Sequence, residues 1–250
     1  FGETPDSWMK LNPEFEYKFW TDNDINTFVD NHFPHYRKMM DSFEFPIQKV
    51  DTVRYMWMYK YGGIYSDLDF QCIRPIKELL NLYENSFKFD LLLAETANTV
   101  GNKSYTNAFI VSKPNNIFWL DVLHHIQQRP EKWYHFGKHL RVMFSTGPAM
   151  ITELYEKYKD RYRIGIIPAQ YVFACGICTV KPCNSEQAFI RVTNGNSWHS
   201  GDSTFYNYLY CVSKTTWLMM LLIFILSLII LIMYKHNSLK ECELRCNITP

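Results

Sequence analysis

Charge imbalance is the first thing this sequence lacks: 26 lysines and arginines stand against 25 aspartates and glutamates, a net charge of +1. Such a surface offers no broad basic field to a polyanion, so no nucleic-acid partner is expected and any electrostatic site must be local. The chain opens at Phe1 with neither an initiating Met nor a recognisable signal sequence, and reads as a piece of a longer protein. Histidines at metal-binding spacing are missing too. His32 and His35 have no third ligand near them, and adjacent His124 and His125 diverge on a helix, so these read as surface or flanking residues. No side chain stands out as a covalent nucleophile. Disorder is excluded by what is abundant: aromatic residues make up 17% and charged residues 20% of 250 positions, which suits one sizeable folded core.

The stretch from Ile47 to Pro75 carries the strongest local pattern. Val50, Val53, Trp57 and Tyr61 recur every three or four positions, which predicts a helix from Gln48 to Tyr61 with that face buried. Asp51, Arg54 and Met58 fall on a different face. Gly62 and Gly63 end the helix, because a left-handed cap is cheap only without a β-carbon. A strand then runs from Ile64 to Phe70, and its alternation sends Tyr65, Asp67 and Asp69 to one side. Two carboxylates ending an apolar run suit a hard divalent cation, which takes oxygen ligands and keeps positions open for substrate phosphates. A solvated acidic surface is the competing reading. The Asp51-x-x-Arg54 pair on one side of the preceding helix favours a site.

Around this centre the remaining elements alternate. Pro13 to Trp20 alternates apolar and charged residues as a half-buried strand does, and Thr21-Asp22 caps a helix over Asn23 to Asn31. Ile76 to Tyr83 reads as a helix, Phe89 to Glu95 as a buried strand of a largely parallel sheet, and Asn107 to Ser112 and Arg163 to Pro168 as further strands. Asn115 to Gln128 is a helix with Ile117, Leu120, Val122, Leu123 and Ile126 inward, and Trp133 to Leu140 is either core or the lining of an acceptor groove. Ser145-Thr146-Gly147-Pro148 turns into a helix over Ala149 to Tyr158. Its amides and hydroxyls either cap that helix or meet an anion or sugar. Cys175, Cys178 and Cys183 cluster without a fourth metal ligand, so a disulfide is expected, and seven cysteines leave at least one unpaired.

Thr216 to Tyr234 is uncharged and apolar with one interior Ser, long enough to span a bilayer, and Trp217 and Tyr234 sit at interfacial positions. Lys235, Lys240 and Arg245 follow the span, which points to a cytoplasmic tail and a lumenal main domain. Asn102-Lys103-Ser104 is then a usable glycosylation sequon, whereas Asn247-Ile248-Thr249 is on the wrong side. The expected organisation is one domain over 1–213, a transmembrane helix over 216–234 and a tail over 235–250.

Asp51-x-x-Arg54, Gly62-Gly63-Ile64-Tyr65 and Asp67-x-Asp69, together with Trp8 to Asp22, Phe45 to Gln48, Phe144 to Pro148 and Asn196-Ser197-Trp198-His199, resemble the signature of the DXD-containing glycosyltransferases of family 32. Within that family the resemblance is to the inositol phosphorylceramide mannosyltransferases. It implies an α/β fold of the GT-A type, a doubly wound, Rossmann-like nucleotide-sugar-binding sheet whose first strand would precede Phe1, followed here by one C-terminal transmembrane helix. It implies retaining, metal-dependent transfer of mannose from GDP-mannose to inositol phosphorylceramide. In those roles Asp67 and Asp69 hold Mn2+ or Mg2+ with His199 as third ligand, Asp51 and Arg54 orient the sugar, and Asn107 and Trp198 lie at the donor. Carboxylate and imidazole together suit Mn2+ better than Ca2+. Asn107 reads equally as a turn residue, and Trp20, placed near the base or ribose by resemblance, reads equally as core. The resemblance further implies a Golgi or other endomembrane location and a regulatory membrane subunit. Two alternatives stay open: a UDP-sugar-dependent enzyme acting on a glycan or glycolipid, and a non-catalytic membrane-bound sugar-binding module.

Overall fold

The computed structural model describes residues 4–84, 89–97, 103–128, 135–172, 178, 186–193, 199–212 and 214–246. The chain divides into two units, Phe1–Asn207 and Tyr208–Pro250. The readings at Asn102, Trp133, Cys175, Cys183, Trp198 and Asn247 lie outside the described residues.

In the first unit, helices α1 (Thr4–Leu11) and α2 (Asp22–His32) are followed by a 3-10 turn over Pro34–Tyr36, α3 (Arg37–Asp41) and α4 (Pro46–Lys60). Strands β1 (Gly63–Ser66) and β2 (Phe70–Cys72), helix α5 (Ile76–Glu84), and strands β3 (Leu91–Glu95) and β4 (Tyr105–Ser112) come next. Then come α6 (Phe118–Gln128), α7 (Gly137–Ser145), α8 (Pro148–Tyr158), β5 (Ile164–Ile167), α9 (Ala169–Val172), β6 (Ile190–Val192) and α10 (Gly201–Cys211).

The main sheet runs β1-β4-β3-β5, with β4 antiparallel to both β1 and β3, and β3 parallel to β5; β2 and β6 form a separate antiparallel pair. The fold is therefore mixed α/β, where a largely parallel sheet was expected. The reason is visible in the connection: Glu95 to Tyr105 is shorter than the dozen or so residues that a crossover between parallel strands needs. Both faces of the sheet are covered. Leu91, Leu93 and Ile110 pack with residues of α4, α6 and α8, while Leu92, Ala94 and Phe109 pack with Ile76, Leu79, Ile167 and Val172. That double burial accounts for the unbroken apolar run in β3.

Helix α4 is the centre of the unit. Pro46 occupies its first turn, Gln48 Oε1 accepts a hydrogen bond from Phe45 N at 3.0 Å, and Gly62 (φ 64°) and Gly63 (φ 84°) take the left-handed conformations that end it. It is buried on more than the expected face: Gln48 and every residue from Asp51 to Met58 are inside, while Tyr61 is exposed. The polar Asp51 and Arg54 are thus carried into the interior by apolar neighbours on all sides.

Three expectations change. Pro13 to Trp20 forms no strand; among the described residues no strand pairs with it, and Phe15, Tyr17 and Phe19 stay exposed. Trp20 instead stacks on Trp57, ring centroids 4.7 Å apart. Ile117 is exposed because Asn116 Oδ1 caps Phe118 N at 3.1 Å, so α6 starts at Phe118, later than the expected Asn115, and buries Phe118 and Trp119. Finally, the strand expected from Ile64 to Phe70 breaks at the acidic pair: β1 ends at Ser66, and Asp67 to Phe70 form a turn closed by Phe70 N donating to Asp67 O at 3.0 Å. The backbone changes hydrogen-bonding partner there, from β4 to β6.

The second unit holds the end of α10 and helix α11 (Lys214–Cys246). Residues Thr216–Lys235 are exposed throughout and form a segment long and apolar enough to cross a membrane.

Candidate active site

Asp51, Arg54 and Tyr55 lie three and four residues apart on α4 and therefore share a face. Arg54, with 3% of its side chain exposed, fans its guanidinium across two carboxylates: Nη2 is 3.0 Å from Asp51 Oδ1, and Nη1 is 3.0 Å from Asp67 Oδ1. Nη1 also donates to the Asn107 carbonyl at 2.8 Å. The guanidinium lies over the Tyr65 ring, 4.7 Å from its centroid, and the Tyr65 hydroxyl donates to Asp67 Oδ1 at 2.6 Å.

Asn107 is delivered by an irregularity in β4. Pairing with β3 jumps from Ile110 to Thr106 as β3 advances from Leu93 to Ala94, so residues 107–109 bulge. Asn107 Nδ2 then donates to Asp51 Oδ1 and to the Tyr55 hydroxyl, both at 2.9 Å. The Tyr55 hydroxyl donates to the Thr146 carbonyl at 2.6 Å, and the Thr146 hydroxyl returns to Asp51 Oδ2 at 3.0 Å. Thr146 caps the end of α7 and Gly147 the start of α8, and Gln48 Nε2 reaches Ser145 Oγ at 2.8 Å. The Ser145-Thr146-Gly147-Pro148 turn is therefore part of the same network as Asp51, beyond its capping role.

The Asp67–Asp69 turn is held at both ends. Asp67 N donates to the Ala108 carbonyl at 2.9 Å, and Thr193 donates to the Asp69 carbonyl twice, from N at 2.7 Å and from Oγ1 at 2.9 Å. Tyr55 and Thr193 are the network members that sequence reasoning missed, whereas strand alternation already places Tyr65 on the side of Asp67. Tyr55 had a signal, its helical spacing from Asp51; Thr193, far away in the chain, had none.

Electrostatically the site is poised between burial and pairing. Burial lifts the Asp51 carboxyl to about 6, against the pull of Arg54, Thr146 and Asn107, so it is ionised at neutral pH. Burial works against the Arg54 cation, but Asp67, Tyr65 and Asp51 outweigh it and hold the guanidinium above its ordinary value. Burial also keeps the Tyr55 and Tyr65 phenols well above 10, hence as neutral donors. Burial and then the charge of Asp67 raise the Asp69 carboxyl.

A divalent cation fits this donor set. Both Asp67 contacts use Oδ1, and Asp69 is a half-buried carboxyl facing the charge of a second one, which is the repulsion a hard cation relieves. Among the described residues no three His, Cys, Asp or Glu side chains form a metal group, so His199 is not gathered with Asp67 and Asp69. Its ring lies 6.0 Å from that of His139, and burial lowers both imidazoles, leaving them neutral at pH 7. A cation at Asp67 and Asp69 would complete its shell with substrate oxygens and water, as Mg2+ and Mn2+ commonly do.

Residues 2–87 match the family model described as the glycosyltransferase sugar-binding region containing DXD motif. Mannosyl phosphorylinositol ceramide synthase CSH1 of Saccharomyces cerevisiae is 29% identical over 218 residues, covering 82% of this chain and 52% of that protein. Inositol phosphoceramide mannosyltransferase 3 of Schizosaccharomyces pombe is 28% identical over 222 residues, covering 83% and 56%. The chain thus spans about half the length of these curated relatives. A solved structure, the PaToxG glycosyltransferase, superposes with a TM-score of 0.42 at 16% identity, covering 64% of this chain and 63% of that one. Asp51, Arg54 and the Asp67–Asp69 turn all fall within residues 2–87, the region that is similar to the DXD-containing glycosyltransferase sugar-binding region, in a chain similar over most of its length to inositol phosphoceramide mannosyltransferases.

Proposed function

We propose that this chain is the membrane-anchored catalytic part of a retaining, metal-dependent glycosyltransferase that moves mannose from GDP-mannose to inositol phosphorylceramide. The observation that carries the reading is the buried Asp51–Arg54–Asp67 ion network, which aims a two-carboxylate turn at solvent while its other members stay inside. The proposed catalytic domain spans 1–213 and has the GT-A arrangement.

Asp67 and Asp69 would hold Mn2+ or Mg2+, which when bound would supply positive charge to a leaving nucleoside diphosphate. Arg54 and Tyr65 fix the Asp67 carboxylate through Oδ1, so its other oxygen would be available to a cation. Asp51 and Asn107 brace Arg54 from behind, so the turn is preorganised before donor binds. Transfer breaks the bond between the anomeric carbon and the diphosphate oxygen, which takes the electron pair. The acceptor hydroxyl oxygen bonds to that carbon from the same face, and its proton passes to the departing diphosphate. His199 and Trp198 belong to this proposal as residues that close over the donor.

The membrane reading rests on Thr216–Lys235 and on the excess of lysine and arginine after it, and places the first unit in the lumen of the Golgi or another endomembrane. Cys178 and Cys211 are each disulfide-bonded, which suits an oxidising lumen. A membrane anchor also suits a lipid acceptor.

The test is metal-dependent hydrolysis of GDP-mannose, UDP-galactose and UDP-N-acetylglucosamine by the full-length parent protein in detergent, beside Asp69→Ala. GDP release alone, lost in the variant, is the expected result. Turnover of a UDP-sugar moves the donor, and no metal-dependent turnover with any donor leaves a sugar-binding module.

A further inference from the structure

We propose that Trp8 is a positioning residue for the acidic turn, a strut that sets how Asp69 stands relative to Asp67 and so fits the pair to a divalent cation. The proposal rests on the reading of Asp67 and Asp69 as metal-holding carboxylates. The two are tied to different sheets. Asp67 N donates to the Ala108 carbonyl of β4, in the main sheet, whereas the Asp69 carbonyl accepts from Thr193, the residue after β6 of the two-stranded pair. The spacing of the carboxylates therefore depends on how the two sheets are fixed to one another beside the turn.

Trp8, on α1, touches both sheets. Its ring stacks on Phe109 of β4, centroids 6.2 Å apart and planes 24° from parallel, and Phe109 follows Ala108 in the bulge. Its indole Nε1 donates to the Phe70 carbonyl at 2.6 Å. Phe70 directly follows Asp69, and its own N–H closes the turn on the Asp67 carbonyl, so the backbone on both sides of the Phe70 α-carbon is fixed. The rest of α1 secures the helix further along: Ser7 Oγ accepts from Cys72 N at 3.0 Å, and Asn12 Oδ1 accepts from Ile76 N at 2.7 Å. Those bonds end on β2 and α5, whereas the Trp8 bond ends on the residue beside Asp69. A hydrogen bond behind a metal ligand fixes the direction in which that ligand presents its oxygens, and its loss weakens the metal without removing a ligand.

The experiment measures binding of Mn2+ alone to the full chain in detergent, from the paramagnetic resonance signal of free Mn2+, beside thermal unfolding of each variant. Trp8→Phe keeps a ring against Phe109 and loses the donor. Trp8→Gln loses the ring but carries an amide nitrogen as many bonds from the backbone as indole Nε1. Ser7→Ala is the control, removing a bond of the same helix away from the turn. Trp8→Phe should weaken Mn2+ binding by at least about fivefold while Ser7→Ala leaves it unchanged. Trp8→Gln should unfold at a lower temperature than Trp8→Phe and yet bind Mn2+ more tightly. Mn2+ affinity that is unchanged in Trp8→Phe, or that follows the unfolding temperature across the three variants, overturns the proposal and leaves the metal site in place. If one Trp8 variant does not fold, the other is compared with Ser7→Ala on the same terms. Mn2+ binding equal in Asp67→Asn/Asp69→Asn and the parent overturns the metal reading, and the proposal with it.

Discussion

Replacing Arg54 by Met removes the cation between Asp51 and Asp67 and tests the site at its centre. Three contacts of 2.8–3.0 Å disappear, and Asp51, whose side chain is 6% exposed, loses its cation. Breaking a buried ion pair from one side costs about 3–5 kcal/mol, because the stranded charge outlasts its partner. The loss should also depend on pH in a defined direction. The Asp51 carboxyl is already raised to about 6 in the folded protein, and the variant raises it further. Between its unfolded value and that raised value the folded state holds a proton that the unfolded state has released, so stability falls as pH rises through the window. The gap between Arg54→Met and the parent protein should therefore be smaller near pH 5, where the contacts to Asp67 and the Asn107 carbonyl are still lost, and approach its full value near pH 8. Urea unfolding of the full chain in detergent, followed by tryptophan fluorescence, measures it. Asp51→Asn combined with Arg54→Met should recover about half the loss at pH 8. A loss under about 1 kcal/mol at pH 8, or one that does not change with pH, would show that the guanidinium does not hold these carboxylates together.

Thr146→Val keeps the shape of a buried side chain but removes a donor to Asp51 Oδ2, and should cost about 1.5–3 kcal/mol, whereas Thr146→Ser should cost under 1 in the same unfolding assay. The two glycines after α4 separate conformation from space. Both have positive φ, but a β-carbon at Gly62 would sit 2.5 Å from Pro114 N, whereas at Gly63 it would meet nothing within 4 Å. Gly63→Ala should therefore cost about 1 kcal/mol and Gly62→Ala about 3, read from thermal unfolding. Dialysis against a chelator should abolish nucleotide-sugar hydrolysis and Mn2+ should restore it. Mn2+ at a hundred times its dissociation constant should also stabilise the folded protein by about 2.7 kcal/mol, an increment missing from Asp67→Asn/Asp69→Asn.

What could be read in the chain were features encoded over a few neighbouring residues. The helical conformation of α4, its glycine stop, the Thr21 cap and the apolar run of β3 all persist in the structure, because each depends on local conformation or on burial alone. The readings that changed depend on a partner. Pro13 to Trp20 has a strand pattern, but a pattern makes a strand only where a ladder is there to join. Asp67 and Asp69 do lie together, though through a turn between two sheets and not through alternation along one strand. Periodicity also set Asp51, Arg54 and Met58 on a face other than the buried one, while the structure buries all three. The middle of a helix can be enclosed on every side when its polar groups find partners, and only the identity of those partners, Asn107 and Thr146, reveals that here.

The hold that Thr193 keeps on the Asp69 carbonyl has a consequence for how the protein is made. The two residues are 124 positions apart, and the contact closes a loop that contains most of the sheet and its covering helices. During synthesis the acidic turn emerges early, at a time when β1 has no β4 to pair with and Asp69 has nothing to hold its carbonyl. A chain released before β6 is complete can form α4 and bury its apolar side chains, yet its two carboxylates remain unaligned. The acidic turn is thus held at its second end by a residue 124 positions further along, so a growing chain completes it late.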